Sequence, residues 1–201
     1  MASEPRKTAD KDRAAALASA TAAGDSRARE QLARWCLPRV RRTVALAYGR
    51  GGEAEDLVQI AMSKAFQKIG SYRGEASFFV WVDRITVNTV RDHQRRRQLL
   101  SYFGEPGPEL RNAESVDRPD RELDRQRLLE RLSGHFAAIK PIHRMPLVLS
   151  MLHGYTVPEI AAMLDIRFEA AKKRLQRGRR ELLARVRKDP RCREALLEMA
   201  R

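Results

Sequence analysis

The chain has 201 residues and a formal net charge of +14 at pH 7. This length fits one large or two small domains, and because strand-like alternation is scarce, the sequence predicts an all-α protein. No apolar stretch approaches the roughly 18 residues of a membrane-spanning helix, and there is no secretory signal pattern. We therefore expect a cytoplasmic protein without membrane insertion.

The sequence offers no pattern that supports catalysis or cofactor binding. Cys36 and Cys192 are far apart and match no metal-binding spacing. The four histidines form no H-x-x-x-H pair and no cluster coupled to a cysteine. A P-loop, a nucleophile elbow and a dinucleotide fingerprint are all absent. The sequence thus predicts no catalytic residue, no metal, no cofactor and no enzymatic activity.

Helical spacing and glycine-rich breaks predict two helical blocks. Residues 1–23 form an N-terminal segment, and the first block covers residues 24–100. Its first helix contains Pro38, which is expected to bend or restart it. A second helix is predicted over Glu53–Ile69, and its expected apolar side consists of Leu57, Ile60, Ala61, Ala65, Phe66 and Ile69.

The third helix of the first block, from about Ser77 to Gln98, changes from aromatic to basic along its length. Phe78, Phe79 and Trp81 lie at its start, and several arginines lie at its end. Aromatic rings beside cations suit the binding of unstacked bases and phosphates. The same aromatic residues are also expected to build the core, so both interpretations stay open here.

Residues 101–122 are rich in glycine and proline and predict a flexible linker. The second block covers residues 123–188, and a tail covers residues 189–201. Pro146 predicts a kink or a late start in one helix of this block. The fold class expected from these patterns is all-α, with two small helical domains joined by the linker.

The second block ends in a pattern typical of a helix-turn-helix. Thr156 and Glu159 predict a capping box at the start of a short amphipathic helix. A tight connection at Asp165–Ile166 leads into a helix crowded with cations. Eleven Lys/Arg residues stand against three Asp/Glu residues between Arg167 and Arg191, a net charge of +8. Such clustering is typical of phosphate binding and indicates a DNA partner.

Taken together, the chain resembles the sigma factors of bacterial RNA polymerase, in the extracytoplasmic-function class. The resemblance covers both blocks in family order. It rests on the segments Gly24–Asp25, Ala54–Gln59, Lys64–Phe66, Tyr72–Phe78, Trp81, Arg84–Ile85, Asn88, Asp92, Arg95–Arg97, Gly154–Thr156, Glu159–Ala161, Leu164, Ile166 and Lys172–Arg179. The chain departs from the family pattern at Asp165, where a glycine is usual, and at Arg167, where a capping Ser or Thr is usual.

The resemblance implies three binding surfaces. Core RNA polymerase would be bound through Glu55, Asp56, Leu57 and Gln59, although Leu57 can equally be a core residue. The −10 element would be opened and its non-template strand held by Arg73, Gly74, Ser77, Asn88, Arg91, Asp92 and Arg95. The −35 element would be read by Lys172, Lys173, Gln176, Arg177 and Arg179. The implied partners are core polymerase, promoter DNA and an anti-sigma factor.

Two alternatives remain open from the sequence. A helix-turn-helix regulator that is not a polymerase subunit would explain Thr156–Arg187 equally well, but not the aromatic-to-basic third helix. A helical adaptor with a basic tail would bind RNA or acidic proteins without sequence specificity.

Overall fold

The computed structural model describes residues 4–102, 131–190 and 192, and within these ranges every regular element is helical. The first block contains α1 (Glu4–Ala22), α2 (Ser26–Ala47), α3 (Gly52–Gln67), a 3₁₀ turn (Ile69–Ser71) and α4 (Phe78–Tyr102). The second contains α5, described over residues 131–137, then α6 (Pro141–His153), α7 (Val157–Leu164) and α8 (Phe168–Val186). The predicted all-α class is therefore confirmed.

Two predicted segments lie largely outside the described residues. These are the linker over 101–122 and the tail over 189–201, together with the first residues of the second block. No helix within the described part of the chain is both long and apolar enough to span a membrane.

The first helix of the first block does not restart at Pro38, so that part of the prediction is wrong. Asp25 caps α2 by accepting hydrogen bonds from the backbone N–H groups of Arg27 and Ala28, and the helix then continues through Pro38 to Ala47. A proline in a helix interior costs about 3 kcal/mol. Each large apolar side chain buried along α2 contributes about 1.5–3 kcal/mol, and Leu32 and Val40 are two of several. Burial of the apolar face therefore outweighs the proline.

The N-terminal segment packs as a helix on the first block. Ala14 and Ala18 of α1 are buried, and the guanidinium of Arg13 lies 5.0 Å from the ring centre of Trp35 on α2. Small alanine side chains allow two helix backbones to approach closely, but they give only a weak apolar pattern in the sequence. For this reason the sequence separated residues 1–23 from a domain that α1 in fact contacts.

Pro146 does not delay the start of its helix, so the late start that was one of the two predicted effects is wrong. It lies inside α6, which begins at Pro141. Pro146 is itself buried among the apolar residues of α6, so packing again compensates for the missing hydrogen bond. The helix ends at Gly154, whose φ of 72° is the left-handed conformation that glycine adopts without strain.

The helix-turn-helix forms as the sequence predicts. The Glu159 carboxylate accepts hydrogen bonds from the backbone N–H of Thr156 at 2.8 Å and from its hydroxyl at 2.7 Å. Asp165 ends α7 with φ 52° and ψ 55°, the left-handed conformation that the turn requires and that Asp tolerates better than most residues. Arg167 occupies the N-cap of α8 without a side-chain capping bond, as expected for a position that has lost its Ser or Thr.

Candidate promoter and polymerase surfaces

A small cavity lies beside the loop that joins the 3₁₀ turn to α4. Its volume is about 130 Å³, and its lining includes Arg73, Gly74, Val80 and Trp81. The hydroxyl of Tyr72 donates a hydrogen bond to the Ala76 carbonyl at 2.9 Å and so holds the loop closed on itself. The predicted −10 residues Arg73 and Gly74 therefore lie at the mouth of a preformed concave site.

The aromatic residues near this cavity form one cluster. Phe78 is buried, and its ring stacks against Trp81 with centroids 5.7 Å apart. Tyr72 contacts both rings, at 5.3 and 5.7 Å. Phe78 is thus a core residue, whereas Tyr72 and Trp81 are only half-buried and Trp81 lines the cavity. The core interpretation is therefore confirmed for Phe78, and the base-binding interpretation stays a prediction for Tyr72 and Trp81.

Four of the predicted −10 residues lie on one exposed strip of α4. Asn88, Arg91, Asp92 and Arg95 are all exposed, at helical spacings of three and four residues. Ser77 is separate from this strip, because its hydroxyl accepts a hydrogen bond from the backbone N–H of Val80 at the start of α4. The structure therefore divides the predicted −10 residues between the strip and the loop.

The predicted −35 residues share the exposed side of α8. Lys172, Lys173, Gln176, Arg177 and Arg179 are all exposed, whereas the buried side of the helix holds Ala171, Leu175, Gly178, Leu182 and Val186. The amphipathic helix therefore places its apolar stripe in the core and its cations in solvent. Arg179 also lies near Ser150 of α6, with 3.4 Å between its guanidinium and the serine hydroxyl.

The predicted polymerase-binding residues on α3 divide differently. Leu57 is 1% exposed and belongs to the core, which is the alternative that the sequence left open for it. Asp56 and Gln59 are exposed, as is Glu55, which pairs with Arg41 at 3.0 Å. Ile60, which the sequence placed on the apolar side, is instead 44% exposed beside Asp56 and Gln59.

The misplacement of Ile60 on the apolar side has a simple origin. Leu57 and Ile60 are both aliphatic and both fit an apolar helical stripe, but only Leu57 is buried in the core. The sequence already placed Ile60 beside a polar residue, since it follows Asp56 by four residues, the spacing of neighbours on one helix face. That spacing is the signal that could have identified it.

Comparison with known proteins shows two regions of one family. Sigma-70 region 2 matches residues 32–99, and Sigma-70, region 4, matches residues 137–182, which together make up more than half of the chain. The ECF RNA polymerase sigma-E factor of Escherichia coli is 29% identical over 141 residues, covering 66% of this chain and 73% of that protein. The chain belongs to the sigma-70 family, in the extracytoplasmic-function class.

Further relatives agree with this assignment. The ECF RNA polymerase sigma factor SigE of Mycolicibacterium smegmatis is 28% identical over 153 residues, covering 76% of this chain and 59% of that protein. The fold is similar to that of CnrH in complex with the cytosolic domain of CnrY, with a TM-score of 0.60, 23% identity, and coverage of 88% and 99% of the two chains. It is also similar to RpoE of Bartonella quintana in complex with the anti-sigma factor NepR, with a TM-score of 0.65, 21% identity, and coverage of 80% and 97%.

In this sigma factor the two regions contact each other through a buried carboxylate. Asp83 on α4 has no exposed surface and accepts hydrogen bonds from the guanidinium of Arg39 on α2 at 2.8 and 2.6 Å. Tyr155, which leads into the helix-turn-helix, donates its hydroxyl to the same carboxylate at 2.5 Å. One carboxylate therefore joins two helices of region 2 to the start of α7.

Each region of the sigma factor also places an arginine at a helix end of the other. Arg144 on α6 is buried and donates hydrogen bonds to the carbonyls of Ala47 and Tyr48 at the end of α2, each at 3.2 Å. Arg91 on α4 donates to the carbonyl of Leu164 at the end of α7, at 2.8 Å. The last carbonyls of a helix lack intrahelical partners and carry its negative end, so both contacts favour a cation. Burial lowers the pKa of Arg144 to about 10, which leaves it charged at neutral pH.

The face of α4 that carries the −10 strip is turned toward region 4. A cavity of about 600 Å³ separates them, lined on one side by Asn88, Arg91, Asp92 and Arg95, and on the other by residues that include Leu164 and Arg174. The two predicted DNA-binding regions of the sigma factor are therefore held together, with the strip inside the space between them.

We expect acid to weaken this closed arrangement through His153. Its side chain is 2% exposed, and its Nε2 atom lies 2.8 Å from the hydroxyl of Thr43 and 3.9 Å from the Asp83 carboxylate. Burial lowers its pKa to about 4; the Asp83 carboxylate opposes this effect, and the guanidiniums of Arg39 and Arg42 add to it. The unfolded chain therefore binds the proton first, so this stability is complete above pH 6.5 and is lost as the pH falls toward 4.

The expected loss between pH 7 and pH 4 is about 3 kcal/mol in the free energy of unfolding. Urea unfolding of the wild type and of His153→Gln across this pH range measures this loss. All other groups titrate in both proteins, so the difference between the two proteins isolates the contribution of His153. The difference in stability between the two should shrink or reverse as the pH falls. A difference that stays constant from pH 7 to pH 4 would contradict the prediction.

Proposed function

We propose that this protein binds core RNA polymerase, recognises the −35 and −10 promoter elements, melts the −10 region and directs transcription initiation. The observation that carries the proposal is the presence of both DNA-binding regions of one family, each with an exposed surface of matching chemistry. Sigma factors are non-enzymatic initiation factors, and we assign this chain no catalytic activity of its own. Its place of action would be the cytoplasm, where the polymerase and its promoters are.

We assign residues 24–100 to the core-polymerase and −10 domain and residues 123–188 to the −35 domain. Residues 101–122 would link them, and residues 189–201 would follow as a tail. The contact of α1 with α2 supports extending the first domain to include α1.

In this function α8 would lie in the major groove of the −35 element. The exposed side of α8 supports this assignment, because its lysines and arginines point away from the core together with Gln176. Lys and Arg favour guanine edges and Gln favours adenine, so we expect a −35 element that contains guanine. Arg174 and Arg180 would contact the phosphate backbone.

The cavity beside the loop 73–77 would receive a flipped base of the −10 element. Base flipping costs a few kcal/mol in lost stacking and pairing, and stacking on an aromatic ring returns about 1–3 kcal/mol per base. Because the two terms nearly cancel, melting would also need polymerase and the phosphate contacts made by Arg91 and Arg95. The half-buried Trp81 is the ring placed to stack on the base.

Core polymerase would bind the exposed face of α3. Asp56 and Gln59 supply polar groups, Glu55 a carboxylate, and Ile60 an apolar side chain. We propose Ile60 as the apolar contact that was assigned to Leu57 from the sequence. Interface cores are depleted in charge, so one exposed aliphatic residue within a polar face is a suitable anchor.

Promoter binding would require the two regions to separate. The −35 and −10 elements are about 25 base pairs apart, which is roughly 85 Å at 3.4 Å per base pair. Arg91 of region 2 lies 2.8 Å from Leu164 of region 4, so one molecule in this arrangement cannot reach both elements. Residues 103–130, if fully extended, can span about 90–100 Å. We therefore propose that polymerase or DNA breaks the Asp83, Arg91 and Arg144 contacts.

We also propose an anti-sigma factor as a partner. One of the similar solved structures is RpoE in complex with the anti-sigma factor NepR. The closed arrangement supports the proposal, because a partner that stabilises it would keep the −10 strip away from DNA.

Run-off transcription with purified core polymerase tests the function. Promoter fragments from a library would be transcribed with and without this protein. Specific initiation that depends on the protein would support the proposal and define both promoter elements. If core polymerase remained silent while the protein alone bound duplex DNA tightly, it would instead be a helix-turn-helix regulator. Binding without sequence preference would indicate an adaptor.

We expect Arg177→Ala to weaken binding of the −35 element by about 1–3 kcal/mol, because it removes a base or phosphate contact in the groove. The measurement is the affinity of the polymerase holoenzyme for a promoter fragment at one fixed salt concentration. Arg27→Ala is the matched control, since it removes the same charge from an exposed position on α2. Equal affinities for the two variants would show that α8 is wrongly placed.

A further inference from the structure

The fold brings together three metal-ligating side chains that are widely separated in sequence. His135 lies on α5, and Asp189 and Cys192 lie just after the end of α8. Their ligand atoms all lie within 4.8 Å of one another, and theirs is the one such group found among the residues that the structure describes. The sequence predicted no histidine–cysteine cluster, since these residues have no metal-binding spacing along the chain. The cluster forms only in the fold, where α5 and the end of α8 meet.

The local geometry directs all three groups to the same point. His135 Nε2 lies 2.9 Å from Asp189 Oδ2. The other oxygen of Asp189 accepts a hydrogen bond from the backbone N–H of Cys192 at 3.3 Å. Cys192 is fully buried, whereas the His135 and Asp189 side chains are 21% and 14% exposed. The site is therefore closed on the sulfur side and open to solvent on the other.

We propose that His135, Asp189 and Cys192 bind a zinc ion. Imidazole nitrogen, carboxylate oxygen and thiolate sulfur are the three ligand types that zinc takes in proteins. Tetrahedral coordination needs ligand atoms about 3.5 Å apart. Side-chain rotations that move these atoms by about an ångström would therefore bring them to coordinating positions. The cysteine binds as its thiolate and releases its proton to solvent, and water occupies the fourth position.

One nearby charge opposes the metal. The guanidinium of Arg131 lies 3.7 Å from Asp189, but its side chain is 48% exposed and can turn into solvent. Without a metal, His135 and Asp189 share a hydrogen bond, and the Asp189 carboxylate caps the backbone N–H of Cys192. With zinc, that hydrogen-bonded contact becomes a coordinated one, which ties Asp189 and Cys192 to α5.

Cobalt(II) titration of the full-length protein, freed of metal by a chelator, tests the site directly. Cobalt replaces zinc in tetrahedral sites, and its thiolate complexes show a charge-transfer band in the near ultraviolet. We expect one cobalt per chain with this band, displaced by zinc. Zinc should also raise the melting temperature by about 5 °C, since it binds only the folded chain.

Three variants distinguish the proposed ligands from other sources of metal binding. Cys192→Ser should abolish the band, and His135→Ala should weaken cobalt binding at least tenfold. Cys36→Ala is the matched control, because Cys36 is the other buried cysteine and should leave the band unchanged. If Cys192→Ser fails to fold, His135→Ala together with the control still decides the result.

An absent band in the wild type, or a band lost with Cys36→Ala and kept with Cys192→Ser, would overturn the proposal. Because the titration uses neither polymerase nor DNA, its outcome is independent of the promoter function.

Discussion

Replacing Asp83 with alanine is expected to lower the free energy of unfolding by about 3–5 kcal/mol. The Asp83 carboxylate is fully buried and accepts two hydrogen bonds from Arg39 and one from Tyr155. Removing one partner of a buried ion pair leaves the other charge without compensation. Here the guanidinium of Arg39, whose side chain is 26% exposed, would lose its carboxylate, and the Tyr155 hydroxyl would lose its acceptor.

The same substitution should loosen the contact between the two regions. Tyr155 belongs to region 4 and Asp83 to region 2, so this hydrogen bond contributes to the closed arrangement as well as to the fold. A double-mutant cycle with Asp83→Asn and Tyr155→Phe separates the two effects, because it measures the coupling energy between these side chains. We expect a coupling of about 1.5–3 kcal/mol, as for hydrogen bonds to charged groups.

Urea unfolding measures the Asp83→Ala effect, and Glu30→Ala is its control. Glu30 also pairs with an arginine, Arg34 at 2.6 Å, but both side chains are largely exposed and lie one helical turn apart. Such a pair contributes only about 0.3–0.5 kcal/mol. Similar losses for both variants would mean that burial does not strengthen the Asp83 network.

Replacing Gly178 with alanine is expected to lower the free energy of unfolding by about 3 kcal/mol, although alanine is the better helix former. Gly178 lies where α8 crosses α6. A Cβ atom there would be 2.7 Å from the His143 carbonyl oxygen and 3.3 Å from the Cβ of Leu147. The nearest atom belongs to the backbone of a packed helix, so it cannot move aside without separating α6 and α8.

Gly134→Ala is the matched control for this prediction. Gly134 is also helical, on α5, but a Cβ atom there would meet nothing within 4 Å. The helix propensity of alanine should therefore stabilise that variant by about 0.5–1 kcal/mol. Thermal or urea unfolding of both variants gives the comparison. If Gly178→Ala were as stable as Gly134→Ala, the close approach of α6 and α8 would be wrong.

Loss of region 4 packing should also affect promoter recognition. The exposed residues Lys172, Lys173, Gln176 and Arg177 lie on the same helix as Gly178 and keep their positions only while α8 is packed on α6. We therefore expect Gly178→Ala to reduce −35 binding in the holoenzyme assay. Gly134→Ala should leave it unchanged.

Local features of the fold were predictable because neighbouring residues determine them. Thr156 and Glu159 form the capping box, and Asp165 adopts the left-handed turn, since each depends on contacts within a few residues of the chain. The continuity of α2 through Pro38 was not predictable in this way. A local rule gives the cost of the proline, but the compensating burial comes from helices distant in sequence.

The candidate surfaces show the same division. The basic exposed side of α8 follows from its own amphipathic pattern, and its assignment to DNA needed no tertiary information. On α3, however, helical spacing allowed both Leu57 and Ile60 on the apolar side. The packing of α2 and α4 buries the first and leaves the second 44% exposed. Which of two similar side chains faces the core depends on the neighbouring helices.

By itself, the sequence of this sigma factor determined the all-α class, the order of its two regions and the helix-turn-helix, because periodicity, caps and turns are encoded locally. The tertiary structure alone decided the contacts of Asp83 with Arg39 and Tyr155, and the meeting of His135 with Asp189 and Cys192. These groups are separated by many residues and have no periodic relation. They meet only because burying the apolar faces of the helices brings them together.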